Sequence, residues 1–253
     1  LPGMAQKKKD EKTRPVFVVG KVLSASDSSL VKQLFLDGLH EKMVQNRQLA
    51  SDYFKRVIEL DPANDASMYE LAAIYHADKQ EKEAENQIRN AVTVNPENKW
   101  YWLLLAEIYK GSNNAVQLVS VFDELTRLEP DNPNHYFDKA NALVIQNKIA
   151  DANLVYNEIE KTYGPSDELS EARQKIFIRQ GKPEKAAAEL EKQVQTNPGD
   201  VKSLLNLADI YNRSGDHNKA LTILNKAALV DEGNVLLRLS LADTYRALKR
   251  YDD

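Results

Sequence analysis

The chain has 253 residues, 42% apolar and 28% charged, with nine glycines and nine prolines, so a packed, ordered body is expected and collagen-like or low-complexity classes are excluded. It contains no cysteine, which removes disulfide frameworks, thiolate metal sites and cysteine nucleophiles. The net charge of −4 hides a basic start, since five basic and two acidic residues between Lys7 and Arg14 give +3 and leave −7 elsewhere, without the clustered basic face that a nucleic-acid partner needs.

At the start, LPGMA followed by QKKK fits two origins. Gly3 and Ala5 stand at −3 and −1 of a signal-peptide cleavage site, which implies an exported, periplasmic protein; a cloning scar before a start at Met4 explains the same letters and allows a cytoplasmic one. The basic stretch that follows reads as a solvated tail rather than an anionic-surface anchor. Residues 15–23 (PVFVVGKVL) form a short apolar run, read as a stub covering the first helix or as a segment lying in a groove. Residues 1–28 are thus set apart from a body spanning 29–253. No stretch approaches 18 consecutive apolar residues, so no transmembrane segment is expected.

The body repeats. Pro62, Pro96 and Pro130 are 34 residues apart and Pro198 falls two further periods on, which sets unit starts at Val31, Asp65, Lys99, Pro133, Asp167, Val201 and Val235. Other columns agree with this register. Unit position 8 holds Gly38, Ala72, Ala106, Ala140, Ala208 and Ala242; position 20 holds Ala50, Ala84, Ala152, Ala186 and Ala220. Position 24 is always large: Phe54, Ile88, Phe122, Tyr156, Leu190, Leu224. Apolar positions 4, 7, 8 and 11, then 20, 24, 27 and 28, follow helical spacing, so each unit predicts two amphipathic helices. Small residues at 8 and 20 let backbones approach while large ones fill the remaining space.

This pattern resembles the tetratricopeptide repeat family, most closely in the third unit, where Trp102, Leu105, Ala106, Tyr109, Phe122 and Pro130 stand at the expected places. The resemblance implies an all-α fold: an α-solenoid of stacked antiparallel helix pairs wound as a right-handed superhelix, with six full repeats and half of a seventh. The fifth unit departs from the pattern at Ser170, Arg173 and Gln174, and Gly164 replaces the proline before it, so looser stacking or a hinge is expected there. The chain stops at Asp253, before the second helix of the seventh unit, and the native polypeptide is expected to continue.

First helices line the concave surface in the family resembled, which makes their positions 2, 5, 9 and 12 the candidate groove. Position 5 supplies Phe35, Tyr69, Leu103, Phe137 and Leu205; position 2 adds Trp100; positions 9 and 12 add Asn141, Asp209, His76, Lys110, Asn212 and Arg246. An apolar floor with polar edges suits a protein or peptide partner. Position 5 is also open to packing against the next unit's helix. Trp102 belongs to the packing column, and Trp100 points toward the groove. Position 5 lacks the cations and asparagines with which some family members grip a C-terminal carboxylate, so that mode is not expected.

The four histidines are never paired at metal-ligand spacing, and no phosphate-binding glycine loop or nucleophile elbow occurs, so neither an enzyme nor a cofactor is expected. The function expected is a non-catalytic protein-interaction scaffold. The alternatives are a structural subunit of a larger, envelope-associated assembly, or the targeting arm of a longer multidomain protein.

Overall fold

The computed structural model describes residues 22–250. LPGMA, the basic stretch and the apolar run up to residue 21 lie outside them. Among the described residues there are thirteen helices and no strand. First helices of the repeats are α1 (Ala25–Met43), α3 (Asp65–Ala77), α5 (Lys99–Gly111), α7 (Pro133–Ile145), α9 (Asp167–Arg179), α11 (Val201–Arg213) and α13 (Val235–Ala247). Second helices are α2 (Arg47–Leu60), α4 (Glu81–Val94), α6 (Ala115–Leu128), α8 (Ile149–Tyr163), α10 (Pro183–Thr196) and α12 (His217–Val230). The chain forms two compact units, one up to Asp131 and one from Asn132. Within each, a first helix packs on its own second helix, and that second helix packs on the next first helix. The first helix starts at Ala25, inside the N-terminal segment set apart at 1–28 and six residues before the first unit start at Val31.

Two columns fix the ends of the first helices. Position 34 caps every following helix: Asn64, Asn98, Asn132, Ser166, Asp200 and Asn234 each accept a hydrogen bond from a first-turn backbone N–H through the side chain. At the other end, position 15 is left-handed in all seven units, at Gln45, Lys79, Asn113, Asn147, Gly181, Gly215 and Lys249. The next N–H then reaches back to the carbonyl of position 11, as from Gln80 to Tyr75 at 2.8 Å and from Asp216 to Tyr211 at 2.9 Å, closing the helix with a Schellman turn. Only two of the seven are glycine. The other five adopt a conformation costing L-residues about 1–2 kcal/mol, because the turn geometry is imposed by packing on both sides.

The small and large columns meet as expected. Ala50, Ala72, Ala84, Ala140, Ala152, Ala186, Ala208 and Ala220 are all fully buried. Between the first and second hairpins, Phe54 of α2 packs with Leu71 and Ile74 of α3, and Phe35 and Leu39 of α1 pack against them. Two more columns are buried. Position 3 contributes Ser67, Tyr101, His135, Leu169, Ser203 and Leu237, and position 10 contributes Ile74, Ile108, Ala142, Ile176, Ile210 and Thr244. The packing face is therefore wider than positions 4, 7, 8 and 11. Trp102, assigned to that face, is half-buried, and its indole N–H donates to the Pro96 carbonyl at 2.7 Å.

The fifth repeat keeps its fold by different means. α8 runs one residue longer than the other second helices and ends at Gly164, whose φ of 85° and ψ of −179° are open essentially to glycine alone. Arg173, in a leucine column, is buried; its guanidinium donates to Asn157 Oδ1 at 2.8 Å and pairs with Glu160 Oε2 at 2.8 Å. Gln174 donates to Ser170 Oγ at 3.0 Å. Buried polar groups in this repeat are thus satisfied, although α8 and α9 meet over less of their length than other consecutive helices of this unit.

Candidate functional site

On a helical wheel of about 100° per residue, the buried columns 3, 4, 7, 8, 10 and 11 fill one arc. Positions 12 and 5 border it, roughly 40° and 60° from position 8, whereas 9, 2 and 13 stand roughly 100–140° away. Position 12 is mixed, with His76 and Asn212 half-buried and Lys110, Ile178 and Arg246 exposed. At position 5, Phe35, Tyr69, Leu103 and Leu205 are half-buried and Phe137 is buried against Tyr156, ring centroids 6.2 Å apart. The outward stripe is made by positions 2, 9 and 13, where Trp100, Asn141 and Asp209 are exposed. Position 13, together with position 6 of α1, brings in apolar residues outside the sequence selection: Leu36, Met43 and Ile145 are 60%, 82% and 64% exposed.

In the unit up to Asp131, Trp100 is the aromatic residue of the outward stripe, and Tyr69 stands on its border at position 5. Trp100 is 58% exposed, with Lys99 Nζ 5.2 Å from its ring centroid and Lys99 itself tied to Glu129 at 2.5 Å. Tyr69 stacks with Tyr101 at 5.2 Å, and the Tyr101 hydroxyl donates to Asp65 Oδ2 at 3.0 Å. Burial, reinforced by the Glu70 charge, raises the Tyr69 pKa, so its phenol stays protonated. Lys42 pairs with Glu70, and His76 Nδ1 lies 2.8 Å from Glu81 at the start of α4, so His76 is engaged within its own hairpin. Lys110, exposed, holds its ammonium 5.3 Å from the Phe122 ring.

In the unit from Asn132, α7 and α9 flank a cavity of about 400 Å³. Phe137, Val144, Tyr156, Ala172 and Ile176 form its apolar part; Asn141, Glu168, Glu171, Lys175 and Arg179 form its polar rim. Farther along, Asn212 is a strut rather than a ligand group: it donates to Thr244 Oγ1 at 2.8 Å and meets His217 Nδ1 at 3.1 Å. Asp209 pairs with Arg213 at 3.2 Å and Arg246 with Asp243 at 2.5 Å. Among the described residues, no cluster of three His, Asp or Glu side chains could hold a metal ion, and no helix is long and apolar enough to cross a membrane.

Two models of the tetratricopeptide repeat match the chain, at residues 53–86 and 177–232. The chain is a tetratricopeptide repeat protein. Solved structures share its fold. A tetratricopeptide repeat protein from Parabacteroides merdae is 14% identical over 88% of this chain and 88% of its own, with a TM-score of 0.55. A chain of the Naa15/Naa10 complex bound to HypK-THB is 16% identical with a TM-score of 0.58; the likeness covers 90% of this chain and 35% of that longer one. No curated protein matches by sequence.

For this tetratricopeptide repeat protein, the first helices gather the proposed residues on two surfaces, one per unit. Tyr69, Trp100 and Leu103 belong to the first; Phe137 and Asn141 belong to the second. The signal for Leu36, Met43 and Ile145 is their apolar type at outward columns 6 and 13.

Proposed function

We propose that this protein is a non-catalytic binding module whose first helices hold an extended or helical segment of a protein partner. The observation that carries this reading is Trp100: a side chain of this size is left 58% exposed, three residues before the position-5 column of aromatic and aliphatic groups. Tyr69 and Leu103 provide half-buried apolar surface on the border of that stripe, and the protonated Tyr69 phenol adds a hydrogen-bond donor.

A second reading has its own support. The second helices also expose single large apolar side chains, Val116 at 63%, Leu154 at 67% and Leu229 at 89%, which suit packing inside a larger assembly. Photo-crosslinking in source cells separates the two. A photoreactive residue at Tyr69 or Leu103 should capture the partner if the groove is used; capture only from Val116, Leu154 or Leu229 overturns the groove in favour of assembly packing.

A further inference from the structure

The cavity between α7 and α9 carries a charge order that the rest of the outward stripe lacks. Along α9, Glu168 and Glu171 precede Lys175 and Arg179, all on the rim of one apolar cavity. Complementing the helix dipole accounts for Glu168 and Arg179 in the end turns, but not for Glu171 and Lys175 in the interior. Those two stand four apart, the spacing at which an ion pair forms on a helix, yet Glu171 turns to Lys202 at 3.2 Å, and the Lys175 side chain has no partner among the described residues. The Glu171–Lys202 pair is exposed and weak, so its carboxylate is free to exchange partners. Arg179 makes one long hydrogen bond, 3.4 Å to the Val144 carbonyl.

We propose that this cavity selects an extended partner segment in which an apolar side chain is flanked, two residues to either side, by an acidic residue and by a basic one. The proposal rests on the groove reading and specifies its occupant. The apolar side chain enters over Phe137, Val144 and Ile176; the partner's carboxylate meets Lys175 and Arg179, with Asn141 as donor; its cation meets Glu168 and Glu171. Spacing supports the fit. The midpoints of the two charge pairs are about 7.5 residues apart on α9, or roughly 11 Å along the axis, and same-face side chains four residues apart in an extended segment span roughly 13 Å. Complementary charges would then set selectivity, and the apolar contact would set residence.

The test is selection, on the whole chain, from a random display library of peptides about nine residues long, enough to cross that span in extended form. Winning peptides are remade with a photoreactive group to map where they bind. The expected result is enrichment of the acidic–apolar–basic pattern, crosslinks to α7 and α9, and a loss of affinity of about tenfold or more in Lys175→Glu/Arg179→Glu. Both side chains are exposed, so that variant should keep the wild-type circular dichroism spectrum. Changing the peptide's acidic residue to lysine should restore binding to the variant, which a merely structural effect would not do. First-helix binders without the pattern, or indifferent to the double reversal, overturn this inference and leave the groove reading standing. No binder on any first helix overturns both.

Discussion

Gly38 faces Phe54 so closely that an added Cβ would lie 2.8 Å from the ring Cε1, inside any normal carbon contact. The phenyl ring is fully buried and touches Phe35, ring centroids 5.7 Å apart, so it has little room to retreat. Gly38→Ala should therefore destabilise by about 1–3 kcal/mol through overpacking, despite the better helix propensity of alanine. Thermal unfolding followed by circular dichroism measures it; an unchanged or raised Tm would contradict the contact.

The left-handed column makes a prediction of opposite sign. Lys79, with φ of 62°, is exposed; its backbone N–H donates to the His76 carbonyl at 3.0 Å, a bond glycine would keep, and its side chain has no partner among the described residues to offset the conformational cost. Lys79→Gly should stabilise by up to about 1 kcal/mol, while Gly215→Ala, at φ 82°, should destabilise by about 1 kcal/mol. Denaturant midpoints of the two variants should move apart. Movement in the same direction would mean that the turns are not what limits them.

These two sites show what the sequence makes legible. The 34-residue period and the small-against-large columns are visible as side-chain volume, and Gly38 with Phe54 realises them directly. The capping column at position 34 was equally readable, because Asn, Ser and Asp share one chemistry there. The left-handed column was hidden because five of its seven residues are not glycine. Position 3 was hidden because Ser67, Tyr101 and His135 read as polar until their burial is seen. How far position 5 faces outward was not legible either: it leans toward position 8, so Phe137 is buried on a cavity wall while Tyr69 and Leu103 stay half-buried.

Acid should weaken the fourth-to-fifth repeat junction before it weakens others. The Arg173 hydrogen bond holds the Glu160 carboxyl below its ordinary pKa, and the partner guanidinium is buried. A depressed carboxylate pKa adds stability above the unfolded value, near pH 4, and that contribution disappears as pH falls through the folded value. Glu160 is 44% exposed, so solvent screening limits the effect to below about 1 kcal/mol. Glu160→Gln should lower stability at neutral pH and flatten the acid limb. Hydrogen exchange across 167–180 at pH 7 and pH 3 reads it, and equal acid sensitivity in both proteins would rule the pair out as its source.

Trp100 and Trp102 differ by two positions and should differ in kind. Trp102 is half-buried and bridges to the Pro96 carbonyl, so Trp102→Ala removes packing and strands a hydrogen-bond acceptor; a loss of about 2–3 kcal/mol is expected, below the ~3–5 of a fully buried tryptophan. Trp100 is held only by a cation over its face, worth about 0.5–1 kcal/mol at an exposed site, so Trp100→Ala should leave the Tm nearly unchanged. Partner capture from Tyr69 should nevertheless fall sharply in Trp100→Ala, because an exposed tryptophan beside half-buried apolar groups has the character of a binding hot spot. Equal melting losses in the two variants would remove the distinction, and undiminished capture in Trp100→Ala would remove the first unit's surface from the binding site.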